Sequence, residues 1–146
     1  MAGKASFFPY EVLLGHLPAV ENMACRVFHG RGDFYPDWKF LNIDYFSGYL
    51  LVVLYEERSE HWCFDFSTQL HSLCGNSLPI KKVLFQFRCR AGSPVFDSSN
   101  ALFSEQVDII ESELLYRIQI GGRQNTGFFT DMAAGHQWVS EHAANK

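Results

Sequence analysis

Phe40-Leu41-Asn42-Ile43-Asp44-Tyr45-Phe46-Ser47-Gly48-Tyr49-Leu50-Leu51-Val52-Val53 is the stretch that decides the fold. Leu41, Ile43 and Tyr45 alternate with Asn42 and Asp44, the period-two signature of a strand with one buried face. Phe46-Ser47-Gly48 reads as a turn. Beyond it the apolar run Leu50-Leu51-Val52-Val53-Leu54 is unbroken, which suits a strand covered on both faces. The reading is a hairpin whose second strand lies near the centre of a sheet.

Working outward, Ser59 is placed to cap a helix on which Trp62, Phe66, Leu70 and Leu73 recur at helical spacing, and Gly75 supplies a stop signal. Val83, Phe85, Phe87 and Cys89 then alternate with Lys82, Gln86, Arg88 and Arg90, which predicts a strand with a basic outer face. Ala91 to Asn100 reads as a loop, and Val107 to Ile110 and Leu114 to Ile120 as two further strands. Towards the N-terminus, Phe8 to Phe28 reads as helical but interrupted, because Pro18 forces a break or a new start. A loop rich in Gly, Asp and Pro follows from His29 to Asp37. At the other end, Thr130 or Asp131 is placed to cap a helix carrying Met132, Trp138 and Val139.

The predicted class is therefore α+β, with a mixed or antiparallel sheet in the order strand-strand-helix-strand-strand-strand and flanking helices. The chain divides into an N-terminal helical segment and entry loop (1–35), an α+β domain (36–120), and a turn and helix (121–146).

Composition narrows the class of function. Of 146 residues, 47% are apolar and 14 are Phe, so a packed core is expected rather than disorder. The net charge of −4 argues against a free-standing nucleic-acid binder, which normally carries a basic face. It leaves room for a module whose partner domain supplies the basic groove. Cys25, Cys63, Cys74 and Cys89 are widely spaced, without the close pairs a zinc site needs. They read as reduced, mostly buried thiols, and no catalytic residue is assigned. The histidines show no metal-ligand spacing. No apolar run approaches the length of a membrane span, and Met1-Ala2-Gly3-Lys4-Ala5-Ser6 lacks a signal-peptide pattern. The chain reads as cytoplasmic, with no membrane partner and no metal. Arg31-Gly32-Asp33 spells an adhesion tripeptide and is taken as a chance match.

One motif carries chemistry. Gln124-Asn125-Thr126-Gly127-Phe128-Phe129-Thr130-Asp131 follows the strand that ends at Ile120. Its glycine and the pair at 121 and 122 permit close backbone approach, Gln124 donates and accepts, and Phe128 and Phe129 offer flat faces for an adenine or an unstacked base. A hairpin corner with both rings in the core remains the alternative. The segment is neither a P-loop nor a Rossmann fingerprint.

The same segment resembles the strand-turn-helix junction of the class I S-adenosylmethionine-dependent RNA methyltransferases related to the 23S rRNA cytosine-C5 enzymes. That family has Gln/Lys-x-Thr-Gly-Phe/Tyr-Phe/Tyr-x-Asp-x-Arg there, and this chain has Ala133 in place of the Arg. Phe40 to Val53 is similar to the family's apolar-x-Val/Ile-Asp-x-Tyr/Phe-x-x-x-Leu-Val-Val hairpin, with Pro36-Asp37 in place of the usual Pro-Gly before it. The resemblance implies an N-terminal, substrate-side portion of a methyltransferase, ahead of its cofactor domain and inactive alone. It also implies S-adenosyl-L-methionine as cofactor in the intact enzyme. Gln124, Thr126, Gly127, Phe128, Phe129 and Asp131 would line that site, and the implied process is rRNA methylation. Lys82, Arg88 and Arg90 are the candidate contacts to RNA phosphates, against the alternative of an ordinary solvated face. A non-catalytic binding or scaffold module is the competing expectation. Exposed strand edges would permit a homodimer without requiring one.

Overall fold

The structure, a computed structural model, describes residues 8–32 and 34–121. Its centre is a five-stranded sheet in the order β1-β2-β3-β4-β5, formed by Ala24–His29, Leu41–Phe46, Tyr49–Leu54, Lys82–Phe87 and Val95–Asp97. Neighbours are antiparallel except β3 and β4, which run parallel. Parallel neighbours need a crossover, and helix α2 (Glu60–Cys74) provides it. A short helix α1 (Tyr10–Gly15) precedes β1, and β6 (Glu105–Glu111) pairs with β7 (Leu114–Ile120) as a separate antiparallel ribbon. The α+β class with a mixed sheet, read from the sequence, is the observed one.

The β2–β3 hairpin forms as read, with Phe46 paired to Tyr49 and Ser47-Gly48 between them. Both loop residues have positive φ, +45° and +96°, as a two-residue hairpin turn of the right-handed twist requires. The double-sided apolar character of β3 has a simple cause: it is the middle strand of three layers. Leu50, Val52 and Leu54 face the helices, in a core with Leu13, Phe66, Leu70, Val83, Phe85 and Phe87. Leu51 and Val53 face the other way, in a second core with Phe46, Leu84, Val107, Ile109, Ile118 and Ile120. The ribbon is tied down by the Ser47 hydroxyl, which donates to the Asp108 carbonyl, and by Ile110 N–H, which donates to Asn22 O at 2.9 Å.

α2 follows local signals closely. The Ser59 side chain accepts from Trp62 N–H at 3.1 Å, satisfying one of the unpaired amides of the first turn. Its inner face is Cys63, Phe66, Leu70 and Cys74, while Leu73, expected on that stripe, is exposed. Trp62 stacks on Phe66 and meets Phe85 edge-on, so the helix lies on the β4 face as the spacing implied.

Two expectations change. The interrupted helix read over Phe8 to Phe28 is a helix only at Tyr10–Gly15, while Ala24–His29 is strand β1, part of the same sheet as the residues after 36. A bulge between Arg26 and Phe28 lets Val27 and Phe28 both turn inward. Non-local pairing with β2 overrides a weak local preference. The loop read over Ala91 to Asn100 contains β5, three residues long, which is too short to show a period.

Candidate functional site

Because β3 and β4 run parallel, their carboxyl ends, the start of α2 and the β5 edge meet at one end of the sheet. In mixed and parallel sheets, this is where ligand crevices form. A cavity of about 320 Å³ opens there, lined by Glu57, Arg58, Cys63, Phe85, Phe87, Arg90 and Phe96 among others. A second cavity, of about 520 Å³, continues between α2 and the start of β4, past Phe64, Thr68, His71, Lys81 and Lys82. Asp97 and Ser98 line both, so the two are halves of one groove beside α2.

Arg90 is held on two sides. Its Nε and Nη2 each donate to the Glu57 carboxylate at 2.7 Å, the bidentate geometry that suits a guanidinium. Its Cζ lies 3.8 Å from the centre of the Phe87 ring. The shared hydrogen bond lowers the Glu57 pKa and raises that of Arg90. Arg58, just before the helix cap, stacks over Phe40 at 3.7 Å.

At the other end, Lys82 Nζ lies 3.3 Å from Asp97 Oδ2. Asp97 Oδ1 also accepts from the Ser99 hydroxyl at 2.6 Å, Ser99 N–H at 2.9 Å and Ala101 N–H at 3.1 Å. These donors, the Ser99 hydroxyl foremost, bring the Asp97 pKa down to about 2.

The basic strand face read from the sequence is not present. Leu84 and Gln86, on the side expected to be solvated, are buried because the β6–β7 ribbon and the turn after β4 cover them. Lys82 and Arg90 therefore stand at opposite ends of the groove. Arg88 lies past the end of β4, its Nε donating to Gln86 Oε1 at 3.4 Å. Glu57, Arg58 and Phe96 escaped the sequence reading, since they fall in segments with no periodic signal. An arginine directly before a Ser cap was the one available hint.

Cys63 and Cys74 are buried and Cys25 half-buried; desolvation pushes each thiol up to about 11. Cys89, expected to be buried, is exposed, because β4 stops at Phe87. Its thiol donates to Glu57 at 3.5 Å, and desolvation and that carboxylate raise its pKa. His61 meets Asp65, one turn on at 3.1 Å. Among the described residues, no group of three or more His, Cys, Asp or Glu is placed to hold a metal ion, and no helix is long and apolar enough to cross a membrane. Gln124, Thr126, Gly127, Phe128, Phe129 and Asp131 lie outside the described residues.

Comparison with known proteins adds the family. No curated protein sequence matches the chain. Among solved structures, one from Streptococcus mutans, assigned as an S-adenosylmethionine-dependent methyltransferase, aligns with a TM-score of 0.49 at 16% identity. The alignment covers 82% of this chain and 29% of that one, so this chain spans less than a third of that protein's length. The family model described as S-adenosylmethionine-dependent methyltransferase matches residues 25–146, from the second residue of β1 onward. The chain belongs to the S-adenosylmethionine-dependent methyltransferase family.

Proposed function

We propose that this chain is the N-terminal, substrate-side portion of an S-adenosylmethionine-dependent methyltransferase that modifies RNA, of the rRNA cytosine-C5 type. The family match over residues 25–146 supports the methyltransferase and its cofactor, and the resemblance of residues 124–131 and 40–53 supports the RNA substrate. The cofactor supplies an electrophilic methyl group on a sulfonium. Gln124, Thr126, Gly127, Phe128, Phe129 and Asp131 would form one wall of its site. The described residues would contribute the substrate side. Lys82 and Arg90, at the two ends of the groove beside α2, and Arg88 just beyond β4 would be its contacts to RNA, Lys82 to the backbone. The resident acids Glu57 and Asp97 hold Arg90 and Lys82 in place.

The test is a labelled-methyl transfer assay on total RNA. The full-length natural protein carrying this sequence is expected to label RNA, and the 146-residue chain alone is expected to transfer nothing. Label entering protein or small molecules but not RNA would defeat the RNA reading. Turnover by the 146-residue chain would mean that the catalytic centre lies among residues assigned here to the substrate side.

A further inference from the structure

We infer that the cavity bounded by Arg90, Phe96 and the start of α2 takes one unstacked nucleobase of a single-stranded RNA, with the Arg90 guanidinium as its stacking plane. The inference rests on the RNA reading above and specifies how the substrate is held. Three observations carry it.

The first is rigidity. Arg90 is fixed in orientation by two hydrogen bonds to Glu57 and by the Phe87 ring beneath it, yet 38% of its side chain stays exposed. A planar cation immobilised in this way offers a flat surface at little entropic cost. The second is size and lining. At about 320 Å³ the cavity sits at the small end of the roughly 300–1,000 Å³ range of small-molecule sites. That leaves room for one heterocycle. Of the rings at its wall, Phe96 is half-buried and open to a π-face, while Phe85 and Phe87 are buried behind it. Unstacked RNA bases are held on aromatic rings and arginine planes in this manner.

The third is charge. Two cations, Arg58 and Arg90, share the lining with three acids, Glu57, Glu60 and Asp97. A phosphate entering this cavity meets carboxylates already occupying the guanidinium donors, whereas an uncharged heterocycle does not. The backbone is then left to the adjoining half of the groove, where Lys81, Lys82 and His71 stand with the hydroxyls of Ser72 and Thr68.

Fluorescence anisotropy of the 146-residue chain with a labelled single-stranded RNA and with its duplex tests this. Arg90→Ala is expected to weaken single-strand binding about 5- to 150-fold, the equivalent of one base stack, and to leave duplex binding unchanged. Arg90→Lys is expected to lose as much as Arg90→Ala, because lysine keeps the charge but not the plane. Melting curves of both variants within a few degrees of wild type exclude a folding defect, and Phe96→Ala provides an independent check on the same wall. Wild-type affinity in Arg90→Lys would make Arg90 a phosphate contact and overturn the base pocket. So would equal weakening on duplex, or no effect of Arg90→Ala and Phe96→Ala, and in those cases the RNA reading survives. Absence of any RNA binding by the wild-type chain would overturn the base pocket, and the RNA reading would then stand or fall on the labelled-methyl assay.

Discussion

At the scale of single residues, two carboxylates set the electrostatics of the groove beside α2. Asp97 has its pKa lowered to about 2 by the Ser99 hydroxyl, backbone amides and Lys82. A depressed carboxylate stabilises the fold above its unfolded pKa of about 3.9, and that contribution is lost as pH falls through the folded value. Asp97→Asn should therefore cost on the order of 1 kcal/mol at pH 7, allowing for solvent screening. The difference from wild type should shrink between about pH 4 and pH 2, as denaturant melts across that range will show. Glu57 acts on a neighbour instead. After desolvation, its carboxylate is what raises the pKa of the exposed Cys89 thiol. In the folded protein at pH 8, Cys89 should be the first thiol alkylated, ahead of the three whose pKa values burial raises to about 11. Glu57→Gln should accelerate that reaction, since the thiolate is the reactive form, and mass-spectrometric timing of the adducts reads both effects. Ser112 and Glu113, the turn of the β6–β7 ribbon, both have positive φ, +53° and +64°. Side chains other than Gly, Asn and Asp are strained there. Replacing the pair by Asn-Gly should raise stability by about 1 kcal/mol, and an unchanged melting temperature would contradict that turn geometry.

At the scale of elements, α2 and its contacts are what the periodicity of Trp62, Phe66 and Leu70 implied. Phe66 is the hub: Phe8, Tyr10, Trp38 and Trp62 all place rings against it. Phe66→Ala should destabilise by roughly 3–5 kcal/mol, and a melting temperature near wild type would refute the helix-on-sheet packing. Gly30 joins β1 to the loop before β2 for a different reason. A Cβ there would lie 2.1 Å from the Trp38 carbonyl and 2.3 Å from that of Leu41, both backbone atoms that cannot swing away. Gly30→Ala should cost about 1–3 kcal/mol through overpacking. The sequence reading treated this glycine as part of a loop rich in Gly, Asp and Pro, and only the close approach of two distant carbonyls shows why no side chain fits.

At the scale of the whole molecule, the fold is three layers, and the two cores lie on opposite faces of the central sheet, whose middle strand is β3. Leu51→Ala and Val52→Ala, adjacent in sequence, remove side chains from opposite cores. Each should cost stability, Leu51→Ala by about 2–5 kcal/mol, and calorimetry should show a single transition for each, because the shared strand couples the layers. Two separate transitions would show that the ribbon unfolds independently. The proposed cofactor wall lies in the sequence beyond Gly121. If Phe128 and Phe129 stack on a purine in the full-length protein, losing either ring should weaken cofactor or RNA binding roughly five- to 150-fold. Unchanged titrations with a large loss of stability would assign both rings to the core.

The elements legible from sequence were those set by local chemistry. The Ser47-Gly48 turn, the Ser59 cap and the uninterrupted Leu50 to Leu54 run each impose one outcome on their own neighbourhood, whatever the rest of the chain does. The family motif at 124–131 was equally visible as a string of residues. Tertiary structure decided the remainder. Ala24–His29 is a strand only because β2 offers its edge, and Leu84 and Gln86 are buried only because a ribbon formed some twenty residues later and the turn after β4 fold over them. That covering removed the basic face expected of Lys82, Arg88 and Arg90. The turn after Phe87 brought Arg90 onto Glu57 and Phe87 instead. Alternation along a strand tells which residues share a side but not what lies against it, so the pocket at Arg90 became visible only once the third layer and the β5 edge were in place.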